Sequence, residues 1–129
     1  MDLSNKHDAA GLLQLNKDAQ GVLRVTLDDP TRRNALSEAM LDQLGAILAE
    51  AANDASVRVI VLAANGRAFC AGHDLKEMSA GRANAEQGEA YFTDVLKRCS
   101  ALMQAILQNP KPVIAEVAAT ATAAGCQLV

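Results

Sequence analysis

The chain has 129 residues and a mass of 13.5 kDa, a size that fits one domain rather than several. Half of the residues are hydrophobic, but only one Tyr, two Phe and no Trp are present, so Ala, Leu and Val must build the core. The net charge of -3 and the pI near 5.3 provide no basic surface for nucleic acid or for an anionic membrane. We therefore expect neither kind of partner.

The cysteines and the N-terminal segment predict a reducing, aqueous compartment. Cys70, Cys99 and Cys126 are an odd number without CxxC spacing, which argues against a disulfide framework or a zinc knuckle. The first residues resemble neither a secretory signal nor a transit peptide, and no apolar run approaches the roughly 18 residues of a membrane span. We expect a soluble cytoplasmic protein, with the mitochondrial matrix as the alternative if a transit peptide is missing from this sequence.

The first third of the chain predicts a hairpin and a helix. Apolar segments over residues 12–15 and 22–27 flank a turn-like segment, so we expect two paired strands. Asp28-Asp29-Pro30 ends the second strand, because Pro lacks an amide proton. From Ser37, a suitable N-cap, apolar residues recur every three or four positions, which predicts a helix over residues 37–53.

The rest of the chain predicts alternation of strands and helices. VRVIVL (57–62) is typical of a buried strand, and a second amphipathic pattern predicts a helix over residues 89–108 that ends before Pro110. A strand over 113–117 follows. This order predicts an α/β fold. Because residues 118–129 look like the start of a buried helix, we expect residues 1–129 to be the N-terminal part of a single larger domain, with an apolar face around 113–129 turned toward the remainder.

Two segments rich in small residues follow the predicted strands 57–62 and 113–117. They are AFCAGHDLK, residues 68–76, and ATAAGCQ, residues 121–127. In parallel sheets ligands bind at the carboxyl ends of strands, and each segment leads toward a helix N-terminus, whose free amide protons favour negative charge. The sequence therefore predicts that both segments line one ligand site.

The same segments carry a family resemblance. Asn34-Ala35-Leu36 after a basic pair, AFCAGHDLKEM from Ala68 to Met78, and KPVIAEV followed by AAGCQL resemble the N-terminal half of the enoyl-CoA hydratase/isomerase (crotonase) family. The resemblance covers nearly the whole chain. It implies a crotonase-type spiral of ββα repeats, of which only the N-terminal portion is present.

The resemblance also implies a site and a ligand. The backbone amides of His73 and Ala124 would form an oxyanion hole for the carbonyl of an acyl-CoA thioester, and coenzyme A would enter as part of the substrate, without a separate cofactor or metal. Full-length family members suggest a homotrimer or hexamer. The residues expected to contact the substrate are Arg32, Arg33, Ala35, Ala71, His73, Asp74, Leu75 and Lys76.

Two departures from the family pattern limit the implied chemistry. Gln127 stands where family hydratases have a catalytic Glu; an amide can orient a water but cannot accept its proton. Ala118-Ala119 stand where Asn-Gly is common, and losing a Gly from a tight turn strains the backbone if positive φ is required.

Three functions therefore stay open from the sequence: an acyl-CoA enzyme of this family, with activity of this chain alone not expected; a non-catalytic acyl-CoA binder; and a structural or oligomerisation module. The individual residues also have plainer interpretations. Cys70 and Cys126 fit small core residues, since neither has a nearby base, and Asp74 fits a helix cap as well as a ligand contact.

Overall fold

Strands and helices alternate along the chain, and the two small-residue segments follow the strands Val59–Ala64 and Val113–Ala115. The computed structural model describes residues 6–7, 11–83 and 88–129. The strands are β1 (Lys6–His7), β2 (Leu13–Lys17), β3 (Val22–Leu27), β4 (Val59–Ala64), β5 (Ala68–Cys70), β6 (Val113–Ala115) and β7 (Thr120–Ala121). The helices are α1 (Glu38–Asn53), α2 (Leu75–Arg82), α3 (Gly88–Leu107) and two 3-10 helices, Pro30–Arg32 and Ala123–Leu128. None of the described helices is long and apolar enough to span a bilayer.

A mixed sheet of five strands, in the order β1-β2-β3-β4-β6, forms the base of the fold. β2 runs antiparallel to β1 and β3, as the predicted hairpin requires, whereas β4 runs parallel to both β3 and β6. β5 and β7 form a separate two-stranded parallel sheet. Helix α1 connects the parallel strands β3 and β4, which confirms the predicted α/β class.

The core forms where the strand and helix patterns predict it. Leu23, Val25 and Leu27 of β3 alternate inward, and all three are buried. The buried face of α1 is the predicted one: Met40, Leu41, Leu44, Ile47, Leu48 and Ala51. Ser37 caps this helix, because its hydroxyl accepts a hydrogen bond from the amide of Met40 at 3.1 Å.

The predicted second long helix is present as α3, and its expected apolar face is buried only in part. The spacing predicts that face at Phe92, Val95, Leu96, Cys99, Leu102, Met103 and Ile106. Val95, Cys99, Leu102 and Met103 are buried, as the spacing predicts. Leu96 is 54% exposed, because it lies one residue past Val95 and turns away from the core.

Three strands have bounds that differ from the sequence prediction, and pairing explains each difference. The strand expected over 12–15 lies at Leu13–Lys17, because its residues pair with β3 from Leu13 with Leu27 to Lys17 with Leu23. The strand expected over 57–62 lies at Val59–Ala64, because its register is fixed by pairing with the whole of β3, from Val22 with Val59 to Leu27 with Ala64. The strand expected over 113–117 ends at Ala115; the amide of Glu116 still bonds Leu62 O at 2.8 Å, and the chain then leaves the main sheet.

The sequence predicts neither β5 nor the bounds of α2, and it predicts an ordinary helix at the end of the chain. β5 has only three residues, all buried, so it shows no alternation. Helix α2 has no buried residue, so it shows no apolar periodicity. The final element is a 3-10 helix in which only Gly125 and Leu128 are buried.

Strand β6 is an edge of the main sheet, and apolar side chains are exposed along it and after it. Ile114 is 53%, Val117 46% and Val129 57% exposed. These three residues lie in the stretch 113–129, where an apolar face is expected.

Candidate active site

The two small-residue segments converge in space. β5 and β7 pair in parallel, and the amide of Thr122 donates to Cys70 O at 3.0 Å. Gly72 has φ +88°, and a Cβ built on it would lie 3.2 Å from the nitrogen of Ala124 and 2.9 Å from the Cβ of Ala123. Only glycine allows both this backbone conformation and this close approach.

The main-chain amides of His73 and Ala124 are oriented by their elements. His73 forms an isolated parallel bridge with Leu36, in which the Leu36 amide donates to Gly72 O at 2.7 Å. In this register the N–H of His73 points away from Leu36. Ala124 is the second residue of the last 3-10 helix, whose first hydrogen bond runs from Gly125 N to Thr122 O at 2.9 Å. The N–H of Ala124 therefore has no partner within its helix.

A cavity of about 760 Å³ lies beside this junction. Its lining includes most of the residues expected to contact substrate: Arg32, Ala35, Ala71, His73, Asp74, Leu75 and Lys76. It also includes residues that the sequence analysis did not single out: Thr31, Glu77, Met78, Ala80 and Ala123. Ala124 and Arg33 are not among the lining residues. Arg33 is connected to the site through its main chain, because its carbonyl oxygen accepts a hydrogen bond from the amide of the lining residue Ala71 at 3.1 Å.

Arg32 is held at the cavity wall by carboxylates. Its guanidinium lies 3.5 Å from Asp74 Oδ2, 3.9 Å from Asp29 Oδ2 and 4.0 Å from Glu77 Oε1, while 56% of its side chain remains exposed. Arg32 lines the cavity and more than half of its side chain is exposed, so these carboxylates orient it without burying it. In the described part of the chain, no group of three His, Cys, Asp or Glu side chains is placed to hold a metal ion.

The Asp74 carboxylate caps α2. Oδ1 accepts hydrogen bonds from the amides of Lys76 at 2.9 Å and Glu77 at 3.3 Å. The residue is only 8% exposed. The cap interpretation is therefore present in the structure, and Asp74 reaches the cavity as part of its wall.

Gln127 and Cys126 are exposed, whereas Cys70 is buried. Gln127 is exposed and does not line the cavity. Cys70 is buried, as predicted, and burial raises the pKa of its thiol. Cys126 is exposed, so its interpretation as a core residue is wrong for this chain; it follows Gly125, which packs against Cys70, and points outward.

Asn34 supports the site and was not singled out as a functional residue. It is fully buried with φ +53°, and its side chain joins three segments. Oδ1 accepts from the Asp29 amide at 2.8 Å, and Nδ2 donates to Asn65 O at 2.8 Å and Ala68 O at 2.9 Å. It thereby fixes the start of β5, which leads into His73. The available signal was the residue type, since Asn tolerates left-handed backbone.

Backbone strain occurs within the site rather than where it was expected. Neither Ala118 nor Ala119 has positive φ, so the absence of Asn-Gly there causes no strain of this kind. Ala123 has φ +51°, an unfavourable conformation for a residue with a Cβ.

Comparisons with known proteins identify the family. The model of the enoyl-CoA hydratase/isomerase family matches residues 17–129. The chain is 41% identical over 117 residues to the mitochondrial enoyl-CoA hydratase domain-containing protein 3 of Rattus norvegicus, covering 91% of this chain and 37% of that protein. A crystal structure of the enoyl-CoA hydratase of Mycobacterium smegmatis superposes with a TM-score of 0.82 at 52% identity, covering 91% of this chain and 44% of that one.

A second solved structure, the human enoyl-coenzyme A hydratase domain-containing protein 3, has a TM-score of 0.80 at 39% identity and covers 91% of this chain and 44% of its own. The chain spans about two fifths of the length of the curated relatives that it matches. The fold is accordingly of the crotonase type, over the N-terminal portion of the relatives. The chain belongs to the enoyl-CoA hydratase/isomerase family.

Proposed function

We propose that the cavity binds an acyl-CoA thioester and that the amides of His73 and Ala124 stabilise negative charge on its carbonyl oxygen, as an enoyl-CoA hydratase/isomerase-like lyase requires. The observation that carries the proposal is the close approach of Gly72 to the nitrogen of Ala124. It brings two segments that are distant in sequence together beside the cavity, which His73 and Ala123 line.

The chemistry favours main-chain donors at this position. When a nucleophile adds to a conjugated thioester, or a proton leaves its α-carbon, charge collects on the carbonyl oxygen as an enolate. Fixed donors there lower the barrier by roughly 3–4 kcal/mol each, since they need no reorientation during the reaction. The amide of Ala124 lies in the first turn of a 3-10 helix, where the peptide dipoles add to the effect.

The remainder of the cavity suits the rest of the ligand. Its volume of about 760 Å³ lies within the usual range for sites that enclose small molecules. Arg32 and Lys76 place two cations on its wall, which can attract the phosphates of coenzyme A. Leu75, Met78 and Ala80 offer apolar surface to the acyl or pantetheine segment.

Gln127 favours an alternative function, a non-catalytic acyl-CoA binder. No carboxylate occupies the position at which hydratases of this family have a catalytic Glu, and an amide cannot act as a general base. The enzyme and the binder share the ligand, so they differ only in turnover.

Binding is tested by calorimetric titration of the chain with butyryl-CoA and, separately, with free coenzyme A, which has no carbonyl at this position. Ala124→Pro removes one donor and should weaken butyryl-CoA binding while leaving free coenzyme A unaffected. Equal loss of both ligands would indicate backbone disruption instead. Failure of the unsubstituted chain to bind either ligand would refute the proposal.

Turnover is tested by the loss of the conjugated thioester absorbance of crotonyl-CoA. Gln127→Glu should raise hydration if a second carboxylate is supplied by the rest of the domain in the complete protein. If the Glu variant binds butyryl-CoA but does not hydrate crotonyl-CoA, the binder is the correct alternative.

We also propose the setting in which the complete protein works. A role in fatty acid metabolism follows from an enoyl-CoA substrate, and the assembly is a homotrimer or hexamer, to be measured by sedimentation equilibrium. The compartment is the cytoplasm or, as the names of the animal relatives suggest, the mitochondrial matrix; fractionation of cells expressing a tagged protein decides between them.

A further inference from the structure

Helix α2 forms a wall of the cavity without being held there by a buried face. Leu75, Lys76, Glu77, Met78 and Ala80 all line the cavity, yet no residue of α2 is buried. Apolar burial therefore contributes little to fixing the helix. Its position depends instead on a few specific contacts. These are polar contacts in the first turn of the helix and the close packing of one glycine, Gly81, near its end.

We propose that Glu77 is a positioning residue that holds α2, and with it the wall of the acyl-CoA cavity, against the N-terminus of α1. The proposal rests on the proposed acyl-CoA function. The Glu77 carboxylate accepts a hydrogen bond from the main-chain amide of Glu38 through Oε2, at 2.9 Å. This contact joins two helices that are 39 residues apart in sequence.

The amide of Glu38 has a particular need for this partner. Glu38 is the first residue of α1, where amides have no acceptor inside the helix. The cap hydroxyl of Ser37 accepts from Met40 rather than from Glu38. A carboxylate at this end is also favoured by the helix dipole. Glu77 therefore satisfies an otherwise unpaired donor and is attracted by the same helix.

The other carboxylate oxygen of Glu77 faces Arg32, in the 3-10 helix Pro30–Arg32. Oε1 lies 4.0 Å from the Arg32 guanidinium, so the same side chain that fixes α2 also helps to orient the cation of the cavity wall. The Glu38 side chain continues the contacts to α3, because its carboxylate pairs with Arg98 at 2.9 Å. Glu77 thus lies where α1, α2 and the cavity meet.

The C-terminal half of α2 has a different anchor. Gly81 packs so closely against the ring of Tyr91 on α3 that an added Cβ would overlap with it. This contact restrains the far end of the helix but leaves the first turn, which carries the cavity residues nearest His73, dependent on Glu77 and on the Asp74 cap.

The test compares three variants with the unsubstituted chain by titration with butyryl-CoA. Glu77→Ala removes the acceptor and should weaken binding by about 10-fold or more, the effect of losing a hydrogen bond to a charged group. Glu77→Gln keeps a carbonyl oxygen for the Glu38 amide and should retain binding within about 3-fold. Ser79→Ala, on the exposed side of the same helix, is the matched control and should not change binding.

Amide hydrogen exchange followed by NMR provides a readout independent of the ligand. The Glu38 amide should exchange faster in Glu77→Ala than in Glu77→Gln, while core amides such as that of Leu44 keep their protection. This pattern separates loss of the tether from loss of the fold, because global unfolding would expose both amides.

The outcomes distinguish the positioning role from the proposed function. If the unsubstituted chain does not bind butyryl-CoA, the acyl-CoA function fails, and an unchanged Glu38 exchange rate in Glu77→Ala would overturn the tether as well. If the chain binds and Glu77→Ala binds equally well, the positioning role is wrong. If Glu77→Gln loses as much binding as Glu77→Ala, the charge of Glu77 acts on the ligand or Arg32, and the positioning role is again wrong.

Discussion

Asn34 is the residue at which a single side chain should have the largest effect on the site. Replacing it by Ala removes three hydrogen bonds, to Asp29 N, Asn65 O and Ala68 O. Asn34 is fully buried, and its bonds to Asp29 N and Ala68 O lie in the interior, so these two groups lose their partner away from bulk water. The unpaired Asp29 amide costs about 1–3 kcal/mol and each of the carbonyls about 1 kcal/mol, and Ala at φ +53° adds about 1 kcal/mol. We expect Asn34→Ala to lower the free energy of unfolding by about 4–6 kcal/mol.

The free energy of unfolding is measured by urea denaturation, monitored by circular dichroism. Two further variants of Asn34 are compared with Asn34→Ala. Asn34→Gly removes the same hydrogen bonds without the left-handed penalty and should be about 0.5–1 kcal/mol less destabilising than Ala. Asn34→Asp keeps the acceptor for Asp29 N but turns a second oxygen toward the carbonyls of Asn65 and Ala68, so it should be at least as destabilising as Ala.

The matched control is Asn53→Ala. Asn53 makes a single exposed bond, from Nδ2 to Ala49 O at 3.0 Å, so the same substitution there should change stability by no more than about 0.5 kcal/mol. If Asn34→Ala costs no more than this control, the hydrogen bonds of Asn34 do not hold the segment, and the reasoning about the start of β5 is refuted.

Three further predictions concern strain, reactivity and acid stability. Ala123→Gly should raise the free energy of unfolding by about 0.5–1 kcal/mol, because it relieves φ +51°; a loss of stability would contradict this. Ellman's reagent should modify Cys126 rapidly and Cys70 only upon unfolding, since burial raises the pKa of the Cys70 thiol, and Cys126→Ser should abolish the fast phase. Hydrogen bonds from Ser56 lower the pKa of Asp54 below its ordinary 3.8, so Asp54 stabilises the fold above that value and the stabilisation is lost as the pH falls through the lowered pKa. The stability difference between the chain and Asp54→Asn, measured by urea denaturation from about pH 6 to pH 2.5, should therefore shrink only below about pH 4; a difference that is independent of pH would contradict it.

Elements with strong local signals could be predicted from the sequence. Val22–Leu27 has the predicted bounds because its side chains alternate between core and surface, and α1 follows Ser37 as its cap and spacing require. The two segments that converge on Gly72 could also be predicted, since each follows a strand whose partners run parallel to it.

Elements without a periodic pattern could not. Helix α2 buries no side chain, so the information that specifies it lies in the Asp74 cap and in the bond from Glu77 to a helix 39 residues away. Strand β5 exists because β7 pairs with it, and three consecutive buried residues do not distinguish a strand from a buried turn.

The sequence by itself determined the α/β alternation, the aliphatic core and the residue types of the candidate site, because these depend on local periodicity and on the chemistry of single residues. Only the tertiary structure decided which of those residues meet. Asn34, Glu77 and Ala123 acquire their roles from partners that are distant in the chain or from a backbone conformation imposed by packing. Distant partners and an unusual backbone conformation leave no pattern in the neighbouring residues. Hydrogen bonds and close approaches across the fold can join residues at any separation in the sequence.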